Sequence, residues 1–160
     1  MNNRLVAYFS ASGSTAKLAN TLAAAAGAML YEICPAMPYE RKDLNWMNKK
    51  SRSTLEMQDK NCRPELADHD APVTEADVIF LGFPIWWYRE PSIIDSFLDA
   101  YDFDGKTLVP FFTSGGSDLG EGQERIEKLA GGAVVRSGKR FSAKASENEL
   151  RDWISGLKLD

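Results

Sequence analysis

The 160 residues predict a doubly wound α/β fold: a five-stranded parallel sheet in the order 2-1-3-4-5, with helices on both faces. Two observations carry that expectation. Short apolar runs of strand length alternate along the chain with segments whose apolar residues recur at helical spacing. No internal repeat is visible, and the length is that of about one domain, so residues 1–160 read as a single unit.

The elements follow in order. Leu5-Val6-Ala7-Tyr8-Phe9 is an apolar run ending in a Ser/Gly cluster, the pattern of a buried strand. From Ser14 to about Ala26, Leu18, Ala19, Leu22 and Ala25/Ala26 lie at helical spacing, and Gly27 is the stop. A second strand runs from Met29 to Ile33 and is broken by Pro35. Residues 34–76 are the least regular part. Within them Leu44, Met47, Ser51 and Leu55 fall on one helical face, which predicts a helix of about four turns from Asp43. Val78 to Phe83 is the clearest strand, and Ile93, Ile94, Phe97, Leu98 and Tyr101 mark a helix after Pro91. Leu108 to Phe112 reads as the fourth strand. Pro110 inside it cannot donate to a ladder, so a bulge or an edge position is expected there. A polar helix with Ile126 and Leu129 ends at Gly131-Gly132, before a short fifth strand at Ala133 to Val135. Ser146 and Glu149 form a capping box for the last helix, in which Leu150, Trp153, Ile154 and Leu157 repeat at i, i+3, i+4, i+7.

Composition narrows the function classes. A chain of this length buries roughly two-thirds of its unfolded surface and needs no disulfide or structural metal. Cys34 and Cys62 have neither the number nor the spacing of a disulfide framework or a zinc site, and read as reduced thiols. The net charge of −4 and the absence of a basic stripe argue against nucleic acid. Lys49-Lys50 with Arg52 is the densest basic cluster and reads as a solvated helix face. Met1-Asn2-Asn3-Arg4 precedes an apolar run too brief for a signal or membrane segment, so a cytoplasmic protein is expected. His69, the only histidine, lies in a polar stretch and reads as a surface residue.

In a doubly wound sheet, ligands bind beyond the carboxyl ends of the strands where the strand order reverses. Strand one ends in Ser10-Ala11-Ser12-Gly13-Ser14-Thr15 and runs straight into a helix. Gly13 lets the backbone bend closely, and the helix start offers unpaired N–H groups and a positive dipole end, which suit a phosphate. With no lysine or arginine in the loop, neutral donors would hold the anion; Lys17 follows in the first helical turns. Neither a P-loop nor the dinucleotide glycine fingerprint is present, and a Ser-rich helix cap with no ligand is the alternative reading. Strand three ends in Gly82-Phe83-Pro84-Ile85-Trp86-Trp87-Tyr88, whose consecutive rings cannot all enter one core. One of them is expected at the surface or against a flat ligand. Strand four ends in Thr113-Ser114-Gly115-Gly116-Ser117, suited to a tight turn whose amides face a polar ring edge, or to an ordinary surface turn. In the order 2-1-3-4-5 the three loops are neighbours. A ligand with a phosphate at one end and a flat ring at the other fits across them, and FMN has that shape.

At these residues the chain resembles the flavodoxins, in particular their short flavodoxin-like group. The resemblance rests on Tyr8-Phe9-Ser10-Ala11-Ser12-Gly13-Ser14-Thr15, Gly82-Phe83-Pro84-Ile85-Trp86-Trp87 and Phe112-Thr113-Ser114-Gly115-Gly116. Asp43-Leu44-Asn45-Trp46, Ser51-Arg52 and Glu56 extend it through the middle of the chain. It implies FMN held without a covalent link. Ser10, Ser12, Gly13, Ser14 and Thr15 would hold the phosphate. Pro84, Ile85, Trp86 and Trp87 would line the isoalloxazine ring, and Thr113, Ser114, Gly115 and Gly116 would meet its polar edge. One departure stands out: the group often has glycine after the tryptophan pair, where this chain has Tyr88. In flavodoxins a flexible peptide beside the flavin N5 turns to accept its proton, and a bulky residue bears on that turn.

Three functions remain open at this point. An electron carrier would work with redox partner proteins and need no protein acid, base or nucleophile. An FMN-dependent reductase of quinones, nitro compounds or other small acceptors would need a pocket over the flavin, built by residues 36–64 and usually completed by a second subunit; monomer and homodimer both stay open. A non-redox domain of the same fold is the third; a receiver-type phosphotransfer domain would need strand-end aspartates, and the first strand has none.

Overall fold

The computed structural model describes residues 3–114 and 118–159. Four longer strands, β1 (Arg4–Tyr8), β2 (Met29–Glu32), β3 (Val78–Pro84) and β4 (Thr107–Thr113), pair in parallel. Two two-residue strands, β5 (Val134–Val135) and β6 (Lys139–Arg140), both pair with β4. The order β2-β1-β3-β4-β5 is the doubly wound order expected from the sequence, with β6 as an addition. Five α-helices are present among the described residues: α1 (Ser14–Ala26), α2 (Arg52–Gln58), α3 (Ser92–Ala100), α4 (Gly122–Leu129) and α5 (Glu147–Leu157).

The period-two geometry of strands explains why the central runs are apolar at every position. Leu5 and Ala7 of β1, with Ile79, Leu81 and Phe83 of β3, enter one core with Ile93, Ile94 and Phe97 of α3. Val6, Val78 and Phe80 point the other way, onto Leu18 and Leu22 of α1 and Leu150 and Ile154 of α5. Ser146 caps α5, its Oγ accepting from the Glu149 N–H at 3.1 Å.

Two expectations need correction. Pro110 is neither at an edge nor at a bulge of the β3–β4 ladder, where it pairs with Leu81. On the other side of β4, the Leu108 carbonyl accepts from Arg136 and the Phe112 carbonyl accepts from Phe141. The alternation between them places the proline nitrogen at the break between β5 and β6. The edge is interrupted where β4 has no proton to give.

The helix expected from Asp43 is also different. A 3-10 turn covers Arg41–Leu44, and α2 begins only at Arg52, with Ser51 as its cap. Between them, Asn45 Oδ1 accepts from Met47 N–H at 3.1 Å and Asn48 Oδ1 accepts from Lys50 N–H at 2.9 Å. These local bonds offer the backbone turns in place of a helix.

Candidate functional site

The carboxyl ends of β1, β3 and β4 bring the three loops together. Beyond β1, Gly13 takes φ 95°, a left-handed conformation, with open space where a side chain would stand. Its N–H donates to Ser10 Oγ at 3.1 Å, which closes the loop. No side chain caps α1, so its first amides face outward at the positive end of a helix of 13 residues. Ser12 and Ser14 are exposed beside them, whereas Thr15 turns inward. Its hydroxyl lies 2.9 Å from that of Thr113 at the end of β4, a buried bond that ties the first loop to the third.

Beyond β3, the Ile85 N–H donates to the Thr113 carbonyl at 2.9 Å, so β3 and β4 stay together past Pro84. Trp86 and Arg89 then exchange backbone hydrogen bonds at 3.0 and 3.1 Å around Trp87 and Tyr88, whose φ values are 46° and 64°. Two positive φ angles in succession belong to a type I′ turn, which asparagine and glycine normally occupy. Here two aromatic residues bear that strain. The Trp86 ring packs edge-on against Phe9 and Tyr39, at 5.7 and 5.5 Å between centroids. Arg52 covers the Tyr39 ring at 3.9 Å. Trp87 and Tyr88 stay 40% and 70% exposed. Of the three rings, the first is locked and the other two face outward.

A pocket of about 350 Å³ runs between these loops, lined by Ser12, Ser14, Pro84, Ile85, Thr113 and Ser114. Arg140 of β6 and Ser142 line it too. Sequence reasoning had only neutral donors at this place, because Arg140 is distant in sequence and no local pattern marks it. Gly115 and Gly116 lie outside the described residues. Ser10, from the first loop, lines an adjoining pocket with Tyr39 instead.

Beneath the Trp86–Arg89 turn lies a charged cluster that the sequence did not announce, since a lone charge pattern there reads as surface. Arg89 is buried, donating to the carbonyls of Glu90 and Met57 at 3.1 Å each and standing 3.5 Å from Asp95 Oδ2. Arg125 of α4 pairs with Glu90 Oε2 at 3.1 Å and Asp95 Oδ2 at 2.6 Å. Glu90 Oε1 and Asp95 Oδ1, both buried, have no hydrogen-bond partner among the described residues. Burial first, then the neighbouring Asp95 carboxylate, push the Glu90 carboxyl well above the usual carboxylate range. From α4's side, Gly120 packs so closely that a Cβ would meet the Tyr88 carbonyl at 2.8 Å.

Elsewhere, His69 is exposed, and Cys34 and Cys62 are free thiols. Among the described residues, no helix is long and apolar enough to cross a membrane.

No curated protein matches the chain. A candidate flavoprotein from Bacteroides eggerthii is 40% identical, with a TM-score of 0.93 and 100% of each chain covered. A second, from Bacteroides uniformis, is also 40% identical, with a TM-score of 0.90 over 96% of this chain and 98% of its own. A flavoprotein from Lactobacillus acidophilus, solved in complex with FMN, shares the fold at 22% identity and a TM-score of 0.73, over 96% of this chain and 99% of its own. The family model described as Flavodoxin matches residues 3–157, and the chain belongs to that family.

Proposed function

We propose that this protein holds FMN without a covalent link and serves as an electron carrier between redox partner proteins. The observation that carries the reading is the uncapped start of α1 at Gly13, joined through Thr15 and Thr113 to the ends of β3 and β4. The FMN complex of the Lactobacillus acidophilus protein supports the choice of ligand. Ser10, Ser12, Gly13, Ser14 and Thr15 hold the phosphate, with the α1 dipole and Arg140 supplying positive charge. Pro84, Ile85, Trp86 and Trp87 flank the ring, whereas Thr113, Ser114, Gly115 and Gly116 meet its polar edge. FMN supplies one- and two-electron redox chemistry when bound, and the protein supplies binding, orientation and electrostatics. Trp86 is fixed by Phe9 and Tyr39 and excludes water from one side. Trp87 and Tyr88, at the exposed lip, offer a partner an apolar surface.

The competing reading is an FMN-dependent reductase of small acceptors, which the pocket beside Trp86 and Trp87 favours. Steady-state NAD(P)H oxidation by the FMN-loaded protein separates the two. The carrier reading expects slow oxidation with small acceptors until a partner reductase is added. Rapid turnover without one contradicts it.

A further inference from the structure

The turn from Trp86 to Arg89 stands on the buried charge cluster, and Arg89 belongs to both. Its backbone closes the turn on Trp86, while its buried guanidinium reaches down to the carbonyls of Glu90 and Met57. The start of α4 packs on the same two places. Gly120 lies against the Tyr88 carbonyl, and a Cβ on Gly122 would meet Glu90 Oε1 at 3.0 Å. The positive φ angles of Trp87 and Tyr88 persist only where the surroundings hold them, and Glu90 is the first residue beyond that turn.

The carboxyl oxygens of the cluster divide into two sets. Arg125 binds Glu90 Oε2 at 3.1 Å and Asp95 Oδ2 at 2.6 Å, and Arg89 faces the same two atoms at 4.0 and 3.5 Å. Arg63, from the segment after α2, approaches Asp95 Oδ2 at 3.7 Å and is itself held by Asp99 at 2.6 Å. Farther out stand Cys62, whose thiol is pushed up by burial, and the Lys60–Glu121 ion pair at 2.8 Å. Glu90 Oε1 and Asp95 Oδ1 remain, both buried and with no donor among the described residues. A buried acceptor left unpaired bears its full desolvation cost, which is larger when it carries charge. A proton on one carboxyl turns an acceptor into a donor, and two carboxyls sharing a site tend to retain one.

We propose that one proton lies between Glu90 Oε1 and Asp95 Oδ1 and makes Glu90 a pH-sensitive positioning residue for the aromatic turn. With the proton in place, the two carboxyls are joined and the turn is fastened to α3. Its loss to solvent leaves two buried carboxylate oxygens without a donor, which parts Glu90 from Asp95 and loosens the turn. Burial and the neighbouring Asp95 raise the Glu90 carboxyl above its usual range. The hold is therefore complete at low pH and is lost as pH rises through the folded value. The proposal rests on the FMN reading only for what the turn would flank.

The test follows the FMN-free protein by NMR, with isotope-labelled carboxyl carbons and backbone amides, from about pH 5 to about pH 10. We expect the Glu90 carboxyl signal to titrate with a midpoint well above the ~4.3 of an ordinary glutamate, and the Trp87 and Tyr88 amide signals to shift with that same midpoint. Glu90→Gln replaces the proton with a fixed amide donor and should abolish the shift of both amides. Asp95→Asn supplies the donor from the other side and should do the same, so either variant decides if the other fails to fold. A Glu90 signal that does not titrate in this range, a Glu90 titration that leaves both amides unmoved, or amide shifts that persist in a folded Glu90→Gln would overturn the proposal. Titrating FMN into the protein tests the flavin reading separately, and its failure leaves this result unchanged.

Discussion

Thr113 ends β4 with its hydroxyl against that of Thr15, and both side chains are buried. The same residue's carbonyl receives the Ile85 N–H. A single position therefore joins the start of α1, the end of β3 and the end of β4. Replacing Thr113 with valine keeps the shape and leaves the Thr15 hydroxyl without that bond. We expect a loss of about 1–2 kcal/mol in the unfolding free energy of the FMN-free protein, measured in urea. A loss smaller than about 0.5 kcal/mol, the range of ordinary surface changes, would mean that water replaces the bond. Thr113 was legible in the sequence as a strand-end hydroxyl. Its partner was not, because the two are 98 positions apart and no local pattern links them.

At the scale of elements, the turn from Trp86 to Arg89 concentrates the strain of the molecule. Two positive φ angles cost a non-glycine residue roughly 1–2 kcal/mol each. Tyr88→Gly removes one of them from an exposed ring, against roughly 0.5–1 kcal/mol of added chain entropy in the unfolded state. The expected outcome is a protein stabilised by up to about 1 kcal/mol in thermal or chemical unfolding. A destabilised variant would show that the Tyr88 ring has packing worth more than its strain. The sequence made the aromatic turn legible, since three large rings in a row cannot share one core. It did not disclose the buried ion cluster beneath, because Arg125, which pairs with both Glu90 and Asp95, comes from α4. The segment before α2 was misread for a physical reason as well. Leu44, Met47 and Leu55 have helical spacing, but Asn45 and Asn48 capture the backbone in turns before a helix can form.

Over the whole molecule, the strands were the most legible part, because a sheet covered on both faces demands apolar side chains at every position. Arg140 and β6 were the least, since a two-residue strand leaves no periodicity to read. The buried cluster also has a consequence for global stability. The Glu90 carboxyl sits above its usual range in the folded state, chiefly through burial. Its folded form thus binds a proton that the unfolded chain releases near pH ~4.3. Its contribution to stability is complete below that pH and is lost as pH rises toward the folded value. Glu90→Gln removes the titration. The stability of the native protein relative to this variant should fall between pH 5 and pH 8, by at most about 1.4 kcal/mol per pH unit. A difference that stays constant across that range would place Glu90 as an ionised partner of Arg125 throughout.

The central claim is that the α1 terminus and the neighbouring strand ends form a phosphate-anchored flavin site. Titrating FMN and riboflavin separately into the FMN-free protein, and following flavin fluorescence, tests it most directly. We expect saturable quenching of FMN at one equivalent, and riboflavin, which lacks the phosphate, bound at least about tenfold more weakly. Unquenched FMN fluorescence, or equal affinity for the two flavins, would contradict it.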